Sequence, residues 1–408
     1  MSYPYRKPPF KAAYLVYVAI STLFIRIPFW ILLGLPRFMR PRKAWDLRRT
    51  VMVNFIRYIW GVEGKVGTPR VTPDHRAIVP GPNVSGVWVS PVPNNLIVGK
   101  LNQWAEYADV TSTRIPGYWI HKKGVKIEVS SSAGPGEKVV LALHGGGYTR
   151  LSAHPNNPIA AIPYGLLKYV DDVDRVFSVE YRLSSGKPFQ IAHPFPTALI
   201  DALAAYLYLV NEIGFSPSDI IIEGDSAGGN LAHGLTRYLV EYEGTPGLPG
   251  PPGALLLLSP WVDLGQSHNN IPNGSALTFL ASDYLNSPFH PEFKYLVNAF
   301  VGPHGIEAAE INPYISPASL NPSLVVKFKG FPRTFIVSGG AEILRDQIRT
   351  FRDKLFRDLG EGNGVREVEG KTRYFEAPDG VHDYLAFPWH EPEREDTFKA
   401  IAEWIAAA

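Results

Sequence analysis

The stretch Asp219–Tyr242 reads DIIIEGDSAGGNLAHGLTRYLVEY and decides the fold class. It begins with a continuous apolar run, which is typical of a strand buried on both faces of a parallel sheet. The GDSAG that follows fits the pattern G-x-S-x-G, and a helical pattern begins directly after it. A strand, a sharp turn and a helix in this order hold a serine hydroxyl exposed above a sheet. Ser226 is therefore a candidate nucleophile, in a turn formed with Gly224, Asp225 and Gly228.

Seven more strand-like runs lie on either side of this stretch, and helical patterns separate most of them. This alternation is typical of an α/β fold with a mostly parallel sheet. The less regular segment from Asp263 to Pro313 interrupts the alternation and is typical of a lid. The runs are GVWVSP (Gly86–Pro91), VKIEVS (Val125–Ser130), KVVLALHGGG (Lys138–Gly147), RVFSVEYR (Arg175–Arg182), GALLLLSP (Gly253–Pro260), RTFIVSGG (Arg333–Gly340) and TRYFEAPDG (Thr372–Gly380).

The composition excludes several classes of protein before any motif is considered. The 408 residues include 40 Lys and Arg against 38 Asp and Glu, a net charge of +2. No overall field attracts nucleic acid, so a nucleic-acid partner is disfavoured. The chain contains no cysteine, which excludes disulfides, zinc–thiolate sites and a cysteine nucleophile.

The sequence His144-Gly145-Gly146-Gly147 ends an upstream strand-like run and predicts a site for a developing negative charge. Acyl transfer places that charge on the carbonyl oxygen, where backbone N–H groups lower the barrier. We expect Gly146 and Gly147 to be donors, with the N–H of Ala227 as the third. His144 is better suited to orienting the loop than to catalysis. A phosphate-binding loop is the rival reading, but the Lys-Ser/Thr ending is missing.

A nucleophile in such a turn requires an acid and then a histidine further along the chain. Glu342 directly follows the run RTFIVSGG, and Asp346 lies one helical turn later. The strand end favours Glu342 as the acid, whereas capping or an ion pair suits Asp346 better. Beyond Glu342 the histidines are His382, in a loop after the last strand-like run, and His390, at the approach to the final helix. We predict that His382 is the catalytic histidine.

Four motifs together resemble the hormone-sensitive-lipase-like branch of the α/β-hydrolases, which includes arylacetamide deacetylase and many microbial and fungal esterases. They are HGGGY (His144–Tyr148), GDSAGGN (Gly224–Asn230), AEILRD (Ala341–Asp346) and DGVHDY (Asp379–Tyr384). Three further stretches match the family: VEYRLS with HPFPTALIDAL (Val179–Leu203), LLSPWVDL (Leu257–Leu264) and NPYISP (Asn312–Pro317). The resemblance runs from about Ser85 to the C-terminus. It implies an α/β-hydrolase fold, with a mostly parallel eight-stranded sheet flanked by helices under a helical cap.

The resemblance also implies a carboxylic ester hydrolase with a Ser226–His382–Glu342 triad, an acyl-enzyme and no metal or organic cofactor. Short to medium acyl chains, and lipophilic acetates in particular, are the expected esters. Aromatic residues in the lid candidate would suit such substrates: Trp261, Phe279, Tyr284, Phe289 and Phe293. The alternatives are a membrane-associated acyltransferase and a non-catalytic ligand receptor of the same fold, although the related plant receptors lack the histidine.

Two departures from the family are visible. Glu342 stands where most members have Asp, which lengthens the acid by one methylene. The segment SSGKPFQIA (Ser184–Ala192) replaces the usual Ala-Pro-Glu and lengthens that loop.

An apolar stretch, residues 12–36, precedes a basic segment that ends at Arg49. Together its two halves are long enough to cross a membrane, although Arg26 and Pro28 lie near the middle. A membrane anchor is expected, similar to those of arylacetamide and sterol deacetylases, which implies the endoplasmic reticulum. A cleaved signal peptide or a lid segment of a soluble or secreted protein stays open.

The predicted organisation has three parts. Residues 1–50 form the hydrophobic anchor and its basic flank, 51–84 form cap helices, and 85–408 form the catalytic domain, with a lid at about 264–311. Asn83 and Asn273 begin glycosylation sequons, a weak indication of a lumenal domain. The oligomeric state is not indicated by the sequence.

Overall fold

An eight-stranded sheet forms the centre of the protein, in the order β1-β2-β4-β3-β5-β6-β7-β8. The computed structural model describes residues 4–67, 73–125 and 127–408. β2 pairs antiparallel with β1 and β4, and the other neighbouring strands pair in parallel. The predicted fold class is confirmed. The strands are β1 Ser85–Val89, β2 Ile115–His121, β3 Lys138–Leu143, β4 Val173–Val179, β5 Ile220–Asp225, β6 Ala254–Leu258, β7 Arg333–Gly339 and β8 Thr372–Ala377.

Helices cover both faces of the sheet because successive side chains of a strand point to opposite faces. In β3, Val139 and Leu141 belong to one apolar cluster, with α6, α7 and α11, whereas Val140 and Ala142 belong to another, with α5 and α12. The helices are α1 Phe10–Ser21, α2 Ile27–Gly34, α3 Leu47–Val66, α4 Gly99–Tyr107, α5 Ala161–Tyr169, α6 Thr197–Leu207, α7 Ala227–Glu241, α8 Ser275–Thr278, α9 Pro291–Val301, α10 Gly305–Ile311, α11 Arg345–Leu359 and α12 Glu393–Ala406.

One predicted strand is wrong. The described residues of Val125–Ser130 contain turns and no strand, and Lys126 lies outside the described residues. The strand that enters the sheet here is the preceding β2, which reads IPGYWIH. Pro116 and Gly117 weaken the strand pattern, since both residue types are depleted in strands. Gly117 is required because a Cβ there would collide with the ring of Phe177.

The N-terminal part does not divide at residue 50 as predicted. α3 runs without interruption from Leu47 to Val66 and crosses that boundary. Residues 68–72 of the predicted cap segment lie outside the described residues, and 73–84 contain no helix. Asp46 sets the start of α3, since its carboxylate accepts a hydrogen bond from the N–H of Arg49 at 2.6 Å.

α1 and α2 are joined by a π-helical turn, Thr22–Arg26, into one apolar helix from Phe10 to Gly34. By length and hydropathy it could cross a membrane, and only 17% of its most apolar window is buried. On its protein side, Val18 packs against Val62 and Val66 of α3. The basic segment after it is tied to the sheet domain, since Arg42 pairs with Asp379 after β8 at 3.0 Å and Arg49 with Glu393 of α12 at 2.7 Å.

Candidate active site

The turn that carries Ser226 joins the carboxyl end of β5 to the start of α7. Ser226 has φ 50° and ψ −116°, a strained conformation for a residue with a side chain. The turn is tight because a Cβ on Gly228 would collide with the carbonyl oxygen of Leu143 in β3. This close packing lifts the serine hydroxyl above the sheet, as the strand–turn–helix pattern predicts.

Three side chains from three strand ends form a hydrogen-bonded chain. His382, in the loop after β8, has its Nε2 2.9 Å from the Oγ of Ser226. Its Nδ1 lies 2.8 Å from Oε2 of Glu342, which follows β7. The other oxygen of Glu342 accepts hydrogen bonds from Gly339 N at 2.7 Å and Ser259 Oγ at 3.2 Å. The structure therefore brings the three predicted residues together, because β5, β7 and β8 are parallel and end at one edge.

Asp346 and His390, the alternative candidates for the acid and the histidine, have other hydrogen-bond partners. The carboxylate of Asp346 accepts from the N–H of Ser275 at 2.7 Å and from Arg345, so it holds the start of α8 to α11. His390 is buried, and its Nε2 accepts from Val381 N at 3.4 Å. Neither side chain has a hydrogen bond to Ser226 or His382 within the described residues.

The loop after β3 faces the serine. Gly146 and Gly147 line the same cavity as Ser226, and both have positive φ, 103° and 60°. Gly146 must be glycine, because a Cβ there would collide with the carbonyl oxygen of Arg150. Within the described part of the chain, no backbone or side-chain acceptor bonds the N–H groups of Gly146, Gly147 or Ala227. Of these three residues, Gly146 and Gly147 line the cavity, whereas Ala227 is fully buried directly after Ser226.

His144 and Gly145 support that loop from below. The ring of His144 stacks on Tyr181, with centroids 4.3 Å apart, and its Nδ1 lies 2.8 Å from the carbonyl oxygen of Gly145. Burial lowers the pKa of His144 to about 4, so the ring is neutral at physiological pH. Gly145 packs against Asp225, where a Cβ would collide with the carboxylate. A buried, neutral imidazole therefore supports the glycine loop from below.

The electrostatics of the site are dominated by buried carboxyl groups. Burial raises the pKa of Glu342 to about 7. Burial alone would lower the pKa of His382, but the carboxylates of Asp383 and Glu342 outweigh it and hold that pKa well above its usual range. Burial, followed by the charge of Asp383, raises the pKa of Glu223 to about 8 and that of Asp225 well above its usual value.

Sequence reasoning missed two acidic residues that touch the histidine loop. Asp283, in the lid segment, accepts hydrogen bonds from Ile343 N at 2.8 Å and His382 N at 3.4 Å. Arg57 of α3 holds that segment by donating to the carbonyl oxygens of Ala281 and Asp283, both at 2.8 Å. The other missed acid, Asp383, directly follows His382, and this adjacency was the available signal. Nothing in the sequence pattern marks Asp283.

A cavity of about 160 Å³ opens at Ser226 and His382. Its other lining residues are mostly apolar and come from α3, the loop before α5, the loop after β6, the lid segment and the segment between β8 and α12. They include Ile56, Trp60, Leu151, Ile159, Trp261, Tyr284, Phe293, Leu296 and Phe387. A second cavity of about 380 Å³ adjoins it and shares Trp261, Phe293 and Leu344. Of the predicted lid aromatics, Phe289 lines only the second cavity, and Phe279 packs under Arg345 instead.

Comparison with known proteins decides the family. A family model described as the alpha/beta hydrolase fold matches residues 140–377, which is more than half of the chain. The chain belongs to the α/β-hydrolase family. The match covers Ser226 and Glu342 of this α/β-hydrolase and ends five residues before His382.

Curated relatives of this α/β-hydrolase are named esterases. Esterase LipU of Mycobacterium tuberculosis is 27% identical over 275 residues, which is 66% of this chain and 78% of that protein. An esterase of Acinetobacter venetianus is 27% identical over 57% of this chain and 65% of the relative. Carboxylic ester hydrolase LipN of M. tuberculosis is 27% identical over 60% and 58%. The alignments therefore span less than two thirds of the last two relatives. The prediction of a carboxylic ester hydrolase is confirmed at this level.

Solved structures show the same fold as this α/β-hydrolase. An esterase from the bacterial hormone-sensitive lipase family superposes with a TM-score of 0.58 at 22% identity, over 89% of this chain and 98% of that one. A hormone-sensitive-lipase homologue, EstE7 from a metagenome library, gives 0.54 at 22%, over 93% and 97%. These structures show the shared fold, and the hormone-sensitive-lipase-like branch, the fungal type and the likeness of the N-terminal stretch to deacetylase anchors stay predictions.

Proposed function

We propose that this protein is a serine carboxylesterase in which Ser226 attacks the ester carbonyl and His382 is the general base. The observation that carries the proposal is the hydrogen-bonded chain from Ser226 Oγ through both nitrogens of His382 to Glu342, at 2.9 and 2.8 Å. A serine hydroxyl is a weak nucleophile unless a base within hydrogen-bond reach takes its proton. This geometry supplies such a base, and Glu342 orients it.

The reaction proceeds in two halves. His382 Nε2 accepts the Ser226 proton as Oγ bonds to the carbonyl carbon, and the oxyanion is held by the N–H groups of Gly146, Gly147 and Ala227. One such donor contributes about 3 kcal/mol to transition-state binding. The imidazolium then gives its proton to the leaving alcohol, which leaves an acyl-enzyme. In the second half His382 activates a water molecule, which releases the acid.

Glu342 carries out the role that an aspartate has in most members. With Nδ1–H donated to its carboxylate, Nε2 of His382 is the free acceptor, which is the tautomer that the first step needs. The charge of Glu342 also stabilises the imidazolium that forms. The longer side chain is held by hydrogen bonds to Oε1 from Gly339 N and Ser259 Oγ.

The walls of the catalytic cavity favour a lipophilic ester of short to medium acyl chain. Beside Ser226 the cavity is lined by apolar side chains such as Trp60, Trp261 and Phe293. Apolar walls with a few converging polar groups are typical of small-molecule sites. The adjoining 380 Å³ cavity, which shares Trp261 and Phe293, offers room for the second half of the ester. Lipophilic acetates are the proposed substrates.

A fluorophosphonate probe and a panel of p-nitrophenyl esters test this proposal together. The purified full chain is expected to hydrolyse acetate to octanoate esters and to lose activity as the probe forms a 1:1 adduct, with the mass shift on the peptide that contains Ser226. A His382→Ala protein should label far more slowly. No adduct on the folded wild-type protein would contradict both enzymatic readings. An ester product in place of the free acid, when an alcohol is added, would favour the acyltransferase.

We propose that the helix Phe10–Gly34 attaches the enzyme to a membrane. Its exposed side chains are large and apolar, among them Leu23, Phe24, Phe29 and Leu32, each more than half exposed. The charge of Arg26 is partnered within the protein, since it donates to Ser21 and lies over the ring of Tyr58 at 4.1 Å. The compartment stays a prediction from the resemblance.

The full chain is expected to float with phospholipid vesicles on a density gradient, whereas residues 37–408 alone should stay at the bottom. The reason is that the exposed apolar surface is lost with the helix. A full-length Phe24→Asp, Leu32→Asp protein is the matched variant, because both side chains are exposed and their loss leaves the contact between Val18 and α3 intact. Flotation of this variant as complete as that of the wild type would contradict the assignment.

A further inference from the structure

The side chain of Asp383 lies against the catalytic nitrogen itself. Its Oδ2 is 3.1 Å from Nε2 of His382, and the same nitrogen is 2.9 Å from Ser226 Oγ. Asp383 is buried, with 6% of its surface exposed, yet it lines the same cavity as Ser226. The carboxylate therefore competes with the serine for one nitrogen atom.

The backbone holds Asp383 in this position. Its φ of 46° is in the left-handed region, which a residue with a side chain seldom adopts outside constrained sites. Its N–H donates to Ser259 Oγ at 3.2 Å, and its carbonyl oxygen accepts from Ala386 N at 2.9 Å. Ser259 also donates to Glu342 Oε1, so its hydroxyl links the backbone of Asp383 to the carboxylate of Glu342.

His382, when protonated, is the positively charged partner of the Asp383 carboxylate. Within the described residues, His382 is the basic side chain paired with Asp383, and Oδ1 of Asp383 is buried without a hydrogen bond. Below it lie two buried carboxyls: burial raises the pKa of Glu223 to about 8 and that of Asp225 well above its usual value. The titratable groups that face His382 and Asp383 from the packed elements are Glu223 and Asp225 of β5, Asp283 and Tyr284 of the lid segment, and Glu342 after β7.

We propose that Asp383 is a positioning residue that keeps a proton on Nε2 of His382 and so moves the onset of esterase activity to higher pH. This rests on the proposed function, because it concerns the state of the proposed general base. An imidazole between two carboxylates donates from both nitrogens, to Glu342 and to Asp383. A doubly protonated imidazole has no lone pair for the Ser226 proton, so turnover begins only after a proton leaves the ring.

The direction in which Asp383 shifts the pH profile follows from its effect on the pKa of His382. Asp383 is the largest of the groups that raise the pKa of His382 against the opposing effect of burial. The acidic limb of kcat/KM reports the base of the free enzyme. Removing the charge of Asp383 lowers the pKa of His382. His382 is then neutral at lower pH, and the enzyme is expected to be active there as well. One nearby opposite charge shifts a pKa by roughly 1 to 3 units.

The test is the pH profile of kcat/KM for Asp383→Asn, measured with p-nitrophenyl butyrate between about pH 5 and 10. The midpoint of the acidic limb is expected to move down by at least about one pH unit. Asp346→Asn is the matched control, since Asp346 has no hydrogen bond to His382, and its midpoint should coincide with that of the wild type. The proposal is overturned if the midpoint of the acidic limb in Asp383→Asn coincides with that of the wild type or lies at higher pH.

A second measurement is made on the wild-type protein and depends neither on the Asp383→Asn variant nor on turnover. The ¹⁵N resonances of His382 in the wild-type protein, assigned by their absence in His382→Ala, report its protonation directly. A midpoint above the ordinary value of about 6.5 is expected, and one at or below that value overturns the proposal. A chain without esterase activity but with the raised midpoint would contradict the proposed function and leave the role of Asp383 standing.

Discussion

Replacing Ser226 with alanine is expected to lower kcat for p-nitrophenyl butyrate by about 10⁵- to 10⁶-fold. The variant removes the oxygen that forms the acyl-enzyme, so only the N–H groups of the glycine loop and substrate binding accelerate attack by water. These leave a residual rate about 10³- to 10⁴-fold above the uncatalysed reaction. The residual activity should be insensitive to a fluorophosphonate, which distinguishes it from contamination by wild-type enzyme.

The variant should keep its fold, and this makes the loss interpretable. The side-chain hydrogen bond of Ser226 is to His382, and alanine retains the Cβ that the strained turn already accommodates. The thermal midpoint is therefore expected to stay close to that of the wild type. Ser216→Ala is the control, because Ser216 is exposed, precedes the amino end of β5 and bonds Ser218. A Ser226→Ala protein with more than about a tenth of wild-type kcat would rule out serine as the nucleophile.

Exchanging Glu342 for glutamine is expected to lower kcat by about 10³- to 10⁴-fold with little change in KM. The amide is nearly the same size, but its NH₂ group cannot accept from Nδ1–H of His382. Gly339 N and Ser259 Oγ both donate to one oxygen of Glu342, so the amide oxygen is expected to face them and the NH₂ group to face the ring. The imidazole then holds its proton on Nε2, which is the wrong tautomer for accepting from Ser226.

Asp346→Asn is the comparison for this experiment as well. Asp346 lies four residues further along the chain and holds the N–H of Ser275. The amide oxygen can still accept that bond, so kcat should stay within about threefold of the wild type. Nearly full activity in Glu342→Gln together with a large loss in Asp346→Asn would reverse the assignment of the acid.

The proposed catalytic residues could be chosen from the sequence because each belongs to a local pattern. Ser226 lies in a contiguous turn motif, and Glu342 and His382 each follow the end of a recognisable strand. Parallel strands end at one edge of a sheet, so strand ends alone predict that such residues meet. Position relative to the strand ends then favoured Glu342 over Asp346 and His382 over His390 without any knowledge of distances.

Residues that act across long separations could not be found in this way. Arg57 reaches carbonyl groups 224 and 226 residues later, and Asp283 lies in a segment without a motif. β2 was missed because Pro116 and Gly117 hide its pattern, while the alternation in VKIEVS imitates a half-buried strand. The boundary at residue 50 failed because composition changes there, although the hydrogen bonds of α3 continue through it.

α3 connects the N-terminal helix to the site, so that this helix contributes more than the proposed membrane attachment. Val62 and Val66 of α3 pack on the helix Phe10–Gly34. Trp60 lines the cavity at Ser226, and Arg57 donates a hydrogen bond to the carbonyl oxygen of Asp283. A chain trimmed to residues 37–408 would expose the valines to water and loosen one wall of the proposed substrate site. Kinetic constants of a trimmed enzyme would then mix chemistry with the loss of that support, so detergent-solubilised full-length protein is the sounder reference for specificity.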